Sequence, residues 1–333
     1  MVKDLKYYSK KFASLKVDKS RGIAPHKPIM LLSVIEQIDQ KKITINQIYP
    51  SASLIATFSK YWSYLGSERH QNASYLPFFH LKSDGFWHLK TKLGLEEVIS
   101  GFKPKSLKSL QSLILYAFLD DELFLLLQDN ISRSVLVSVL IENWFAHKQE
   151  QVNKLFRIDA FQEFQNKLQE SGGKIYTVAE LKNEDKVIVR DAAFRKVVVS
   201  IYNYHCAFCG LKILNSQGQN IVDGSHIKPF AEFRDDRIDN GLSLCKNHHW
   251  AFDRGWFGID ENYQIRVAQN LEEVTPNNRA MKDFAGEKII LPNQELYYPR
   301  IEALQWHLET VFQKDQPEKL LFEQMECNLT NSC

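Results

Sequence analysis

The chain has 333 residues, 44% of them hydrophobic, 25% charged and 12% aromatic, with a net charge of +2. That apolar mass builds packed cores and the length allows about two domains, which excludes a disordered acidic tail, a collagen-like fibre and a disulfide-stapled miniprotein. No apolar run reaches the roughly 18 residues of a membrane span, and the opening MVKDLKYYSKKF lacks a signal peptide's apolar centre, so a soluble intracellular protein is expected, with no membrane partner.

Residues 1–30 carry eight cations against Asp4 and Asp18, a local charge of +6, with Tyr7, Tyr8 and Phe12 interleaved. Such a stretch either tracks a phosphate backbone or forms a solvated helix face with its aromatics turned inward, and composition favours the second. A turn at 21–25 follows, and Pro28 suits the first position of a helix whose Leu31, Val34, Ile35 and Ile38 bury one face. Residues 42–48 alternate like a strand, and 54–65 read as an aromatic-rich helix. Two apolar runs, 77–81 and 86–89, flank Ser83-Asp84-Gly85 and predict a β-hairpin, since Asp-Gly favours tight turns. Residues 107–127 and 135–145 read as buried helices, closing a first domain at 148. A polar connector, 149–187, includes a helix near 156–168. A second domain spans 188–313 and ends in a helix at 301–312; 314–333 reads as a flexible tail. The fold class is α+β.

Five cysteines mark the chemistry. Cys327 and Cys333 lie in the tail and take no role. Cys206-Ala-Phe-Cys209 and Cys245-Lys-Asn-His248 share a two-residue gap. In a reducing compartment such pairs favour metal over disulfide, and three thiolates with one imidazole close a zinc tetrahedron. Gly210 follows the first pair, where the turn asks for positive φ.

Between the pairs stand His226 and Asn240, with His249 just beyond. A strand ending at His226, a loop carrying Asn240 and a helix beginning near Cys245 place His249 and Asp253 on one helical face. An imidazole and a carboxylate so placed hold a divalent cation, Mg²⁺ or Mn²⁺, with open positions. His226, across from them, accepts a proton from an attacking water, and Asn240 fixes the loop. The set suits phosphodiester hydrolysis.

The strings Arg190-Asp-Ala-Ala-Phe-Arg195, Cys206-Ala-Phe-Cys209-Gly, Ser225-His226-Ile-Lys228-Pro, Asn240-Gly-Leu-Ser-Leu-Cys245 and His249-Trp-Ala-Phe-Asp253-Arg254-Gly resemble an HNH endonuclease of the restriction-enzyme type. The likeness covers 188–313. It implies a ββα-metal fold, His226 as general base, His249 and Asp253 as metal ligands, Asn240 as the loop-orienting residue, and products with 5′-phosphate and 3′-hydroxyl ends. The cations within these strings, Arg190, Arg195, Lys228 and Arg254, are expected at the DNA. Ser225 stands where many members carry a metal-binding aspartate; Asp223 is expected on the opposite strand face, a weaker substitute.

Ala24-Pro-His26-Lys27-Pro-Ile-Met-Leu-Leu32, Leu76-Pro77-Phe-Phe-His80-Leu81 and Asp84-Gly-Phe-Trp87 resemble the sulfur-binding domain of McrA-type (type IV) modification-dependent restriction enzymes. The likeness implies recognition of phosphorothioate DNA, with His26 and Lys27 on the backbone and Pro77 lining an apolar pocket. Members often carry tyrosine before that proline and a small residue three after it; here Leu76 and His80 occupy those positions. The combined expectation is a modification-dependent endonuclease on double-stranded DNA, with methylated bases as the alternative signal. It would act in host defence in a prokaryotic cytoplasm, with dimerisation or repeated nicking for double-strand cuts. The rivals are a non-catalytic zinc-stabilised DNA-binding protein, an HNH nuclease acting on RNA, and a purely structural zinc protein.

Overall fold

The computed structural model describes residues 3–146, 152, 155, 158–215, 219–275 and 279–313. The expected tail at 314–333, with Cys327 and Cys333, lies outside the described residues, as does much of 147–157. The chain is mostly helical α+β and divides into two units. One comprises Met1–Phe164 with Leu181–Ala192; the other comprises Gln165–Glu180 with Ala193–Cys333.

In chain order the first unit holds α1 (Leu5–Ala13), α2 (His26–Asp39), α3 (Ala52–Leu65), α4 (Tyr75–His80), β1 (Trp87–Thr91), α5 (Leu107–Leu113), β2 (Ile114–Leu119), α6 (Asp121–Gln128) and α7 (Asn130–Trp144). Asp4 caps α1 by accepting the Tyr7 backbone N–H. Tyr8 and Phe12, one turn apart, are fully buried, so this basic stretch turns its aromatics inward. Helix α2 starts at His26, two residues before the expected Pro28; Pro28 still falls in the first turn, where backbone N–H groups lack intrahelical partners. The helix is buried from Lys27 to Ile38 rather than along one face. The reason is its central position, in contact with α3, α4, α6 and α7. Its Glu36 is satisfied inside the core: Lys60 Nζ donates at 2.6 Å and Tyr61 Oη at 2.5 Å. Lys60 also donates to the carbonyls of Leu155 and Ile158, which offsets the desolvation of the pair.

Three expectations fail here. The stretch 77–89 is not a hairpin. Asp84-Gly85 does turn the chain, with Gly85 at φ +81, but the residues before it form α4 and a 3₁₀ turn, and the Trp87 indole donates to the Phe78 carbonyl. β1 pairs instead with β2, Trp87 opposite Leu119. The expected helix 107–127 is helix, strand and helix, because the aromatic run 114–119 finds a partner strand that its own sequence cannot reveal. Of the expected strand 42–48, only Ile48 bridges, to Ala117.

In the second unit, β3 (Val222–His226) and β4 (Gly241–Cys245) run antiparallel, His226 opposite Gly241. The helix Lys246–Asp253 follows without a gap and packs on both strands. A hairpin of β5 (Phe257–Ile259) and β6 (Ile265–Val267) adjoins it, and the helix Ile301–Thr310 covers β5. The helix expected near 156–168 lies at Ala160–Ser171. Part of the expected connector is braced on the loop after β3: Asp236 N–H donates to the Lys174 carbonyl, Ile238 N–H to that of Gly172, and Tyr176 N–H to that of Arg234.

Candidate functional site

Cys206 and Cys209 sit in a tight turn closed by Gly210 N–H donating to the Cys206 carbonyl at 2.9 Å. Gly210 takes φ +73. Cys245 ends β4 at the N-cap of the helix Lys246–Asp253, which brings His248 into the first helical turn. The ligating atoms of Cys206, Cys209, Cys245 and His248 all lie within 4.8 Å of one another. His248 Nδ1 stands 3.1 Å from Cys245 Sγ and 3.6 Å from Cys206 Sγ. Around zinc, with bonds of about 2.0–2.3 Å, tetrahedral donors stand roughly 3.6–3.8 Å apart, so the set fits. Hydrogen bonds with Cys206 and Cys209 hold the Cys245 thiol far below its ordinary range, while those with Cys209 and Cys245 hold Cys206 above it. Burial works against the His248 imidazolium, but its hydrogen bonds with Cys209 and Cys245 push it up to about 9. Such a buried knot of donors suits a bound cation.

His226 lies at the end of β3, its ring stacked on Phe194 at 3.9 Å between centroids and 4° between planes. Its Nε2–H donates to Asp236 Oδ1 at 2.8 Å; the His226 side chain is 8% exposed and the carboxylate 0%. With Nε2 engaged by the carboxylate, Nδ1 is the ring nitrogen left to face a substrate. Asn240, fully buried, accepts the Lys228 backbone N–H and donates to the carbonyls of Lys228 and Asp235. It thereby ties the strand end bearing His226 to the loop bearing Asp236. Asp235 is itself held by Arg237 and Arg300. Asp236 and Phe194 were missed at the sequence level. The available signal was an acidic pair four residues before Asn240.

His249 Nε2 lies 3.7 Å from Asp253 Oδ2, and His249 Nδ1 lies 3.8 Å from Asp223 Oδ2. Both gaps are longer than a direct hydrogen bond. Asp223 was expected on the wrong face. Side chains alternate along a strand, so residues 223 and 225 share a face and 226 takes the other. Asp223 also meets Arg195 at 3.1 Å and Lys246 at 3.0 Å. An imidazole between two carboxylates is a nitrogen and oxygen set that fits Mg²⁺ or Mn²⁺. Among the described residues, three or more ligating groups converge within 4.8 Å only at the Cys/His cluster; His226, His249 and Asp253 are not drawn together that closely.

The expected DNA contacts divide. Lys228 Nζ lies 4.0 Å above the Phe233 ring, and the Arg254 guanidinium lies 3.8 Å above the Trp250 ring. Arg195 is partly exposed beside Asp223. Arg190 is buried at 6% exposure, a correction to its expected surface role, and it belongs to the segment Leu181–Ala192 of the first unit. In that unit, His26, Lys27, Pro77 and His80 line one cavity of about 660 Å³. Pro77 is buried and His80 exposed. His26 Nε2 donates to the Gln71 carbonyl at 2.9 Å, and burial holds its pKa below the ordinary range despite that bond. Lys27 departs from expectation. It is 7% exposed, with Nζ 2.6 Å from Asp84 Oδ2 and bonded to Ser83 Oγ.

The HNH endonuclease family model matches residues 206–260. The family model of the ScoMcrA-like, DNA sulfur-binding domain matches residues 6–160. The chain thus carries an N-terminal ScoMcrA-like sulfur-binding domain and a C-terminal HNH endonuclease domain. Among solved structures, the sulfur binding domain of ScoMcrA complexed with phosphorothioated DNA is 18% identical over 45% of this chain and 94% of its own, with a TM-score of 0.35. That of SprMcrA, complexed with phosphorothioated DNA, is 15% identical over 43% and 86%, with a TM-score of 0.33. A modification dependent TagI restriction endonuclease is 24% identical over 37% of this chain, with a TM-score of 0.28; the match spans only 39% of that protein's length. No curated protein matches the chain.

Proposed function

We propose that this chain is a modification-dependent DNA endonuclease: its sulfur-binding domain selects duplex DNA carrying a phosphorothioate, and its HNH domain hydrolyses a phosphodiester bond. The observation that carries the chemistry is the buried His226–Asp236 pair, which fixes one tautomer of an imidazole at the end of β3. In this reading His226 Nδ1 takes the proton of the attacking water. Phe194 and Asn240 hold the ring and its loop in place. His249, Asp253 and Asp223 would hold a divalent cation, which supplies charge stabilisation at the scissile phosphate and the leaving 3′ oxygen. Cys206, Cys209, Cys245 and His248 would hold a structural zinc. An HNH centre works on phosphate and sugar, which carry no sequence information, so selection falls to the other domain. A sulfur in place of a phosphate oxygen is softer and less hydrated. It suits a recess walled by Leu76 and Pro77 in which Asp84 neutralises Lys27.

The test uses matched plasmids: unmodified, phosphorothioated, cytosine-methylated and adenine-methylated, each with Mg²⁺ or Mn²⁺. The expected result is nicking of the phosphorothioated plasmid by the parent protein, reduced about 10²- to 10⁴-fold by His226→Ala. Equal cutting by both proteins removes His226 as the base. Cutting only of a methylated plasmid reassigns the signal, and preference for labelled tRNA makes the enzyme a ribonuclease. Binding without cutting by either protein on every substrate leaves a zinc-stabilised DNA-binding protein.

A further inference from the structure

In the cavity of the sulfur-binding domain, the cation expected to grip the DNA backbone is not available. The Lys27 charge is matched by Asp84 at 2.6 Å, with the two side chains 8% and 3% exposed. Moving Lys27 onto a phosphate would leave that carboxylate buried and unpaired, a strongly unfavourable exchange. The anion contact must come from elsewhere on the cavity wall. Its other cations are Lys16, Arg21 and Arg69, and its one carboxylate is Asp18. All three cations are exposed. Among the described residues, neither guanidinium has a hydrogen bond or an ion pair. The two arginines come from segments far apart in sequence that meet here: Arg69 Nη1 lies 3.7 Å from where a Cβ on Gly22 would stand. Next to Arg69, His70 has both ring nitrogens buried without a partner, so turning that ring toward a phosphate would break no hydrogen bond.

We propose that Arg21 and Arg69 form the phosphate clamp of this cavity, holding the DNA backbone at its mouth, while Lys27 is a structural cation of the core. The assignment rests on the reading of this domain as a DNA-binding module. It assigns the two arginines to affinity and leaves sulfur discrimination to the recess behind them.

The experiment measures affinity of the full chain for two duplexes of one sequence, one with a single phosphorothioate and one without, across a salt series. Each phosphate contact contributes about 0.9 to the slope of log affinity against log salt. Arg21→Ala and Arg69→Ala are each expected to flatten the slope by about that amount and to weaken both duplexes by the same factor, roughly tenfold, as loss of one charge-assisted contact implies. Arg69→Lys should restore the slope. Lys27→Met should leave the slope unchanged and lower the melting temperature. An unchanged slope in both arginine variants, or a flattened one in Lys27→Met, overturns the proposal. A parent that binds both duplexes equally, with flattening in the arginine variants, upholds the clamp and removes the sulfur-selective reading. A parent that prefers the phosphorothioate, with arginine variants identical to it, upholds that reading and removes the clamp. A parent that binds neither duplex overturns both.

Discussion

Replacing Asp236 tests the proposed catalytic geometry more sharply than replacing His226, because Asp236 touches the proposed base and is too buried to meet bulk water. Asp236→Ala removes the acceptor of a 2.8 Å hydrogen bond between groups 0% and 8% exposed. A hydrogen bond to a charged group contributes about 1.5–3 kcal/mol, and more of that is felt where water cannot replace the lost partner. If the pair serves only to hold the tautomer and angle of His226, that energy is lost from the transition state, and each 1.36 kcal/mol is about tenfold in rate. The expected loss is therefore about ten- to hundredfold in the single-turnover nicking rate. DNA affinity should be unchanged, since Asp236 is buried. Asp236→Asn keeps an acceptor oxygen and should fall between the two. The assay is nicking of a supercoiled plasmid with protein in excess, with affinity measured separately and a melting curve for each variant. A normally melting Asp236→Ala protein that nicks at the parental rate would show that His226 is not the positioned base.

Three further predictions concern stability. Cys206→Ser should lower zinc per chain and abolish the cooperative melting of the HNH domain, because structural zinc contributes about 10–16 kcal/mol, as much as a whole domain's stability; a retained transition removes the zinc assignment. Burial pushes His307 down to about 4 from 6.5, and its ring stacks on Phe252 at 3.7 Å. Because the folded pKa is the depressed one, the unfolded chain takes up the proton first. Stability is full above pH 6.5 and falls by about 3 kcal/mol on descent to pH 4, which urea midpoints of the parent and His307→Phe should reveal; identical pH profiles refute it. Gly173 takes φ +82, and a Cβ there would stand 2.1 Å from the Asp236 carbonyl oxygen. Gly173→Ala should cost about 1–3 kcal/mol and slow nicking by displacing Asp236; a parental melting temperature counts against this brace.

Local chemistry made the HNH half legible. The Cys-x-x-Cys and Cys-x-x-His spacings set how two short turns present donors, and a four-residue gap places His249 beside Asp253 whatever surrounds the helix. The strand ending at His226 and the helix after Cys245 fall where the sequence puts them. Elsewhere, local pattern misled. The run 114–119 is apolar enough for a buried helix and becomes a strand because β1 lies beside it. Residues 77–81 form a helix although Asp84-Gly85 follows them, since a turn dipeptide fixes the bend and not the conformation leading into it.

Charge shows the same division. The sequence alone determined which residues are titratable, which can ligate a metal and which spacings repeat. It could not determine which charges remain free. Lys27 and Arg69 look equally available as letters, yet one is matched by a carboxylate 57 positions away, while the other lines the same cavity with no ion pair among the described residues. Asp236 acquires its importance only because folding sets it against His226. Covalent order fixes the neighbours within a turn of helix or strand. Burial and pairing depend on distance in space, and only the folded chain sets that.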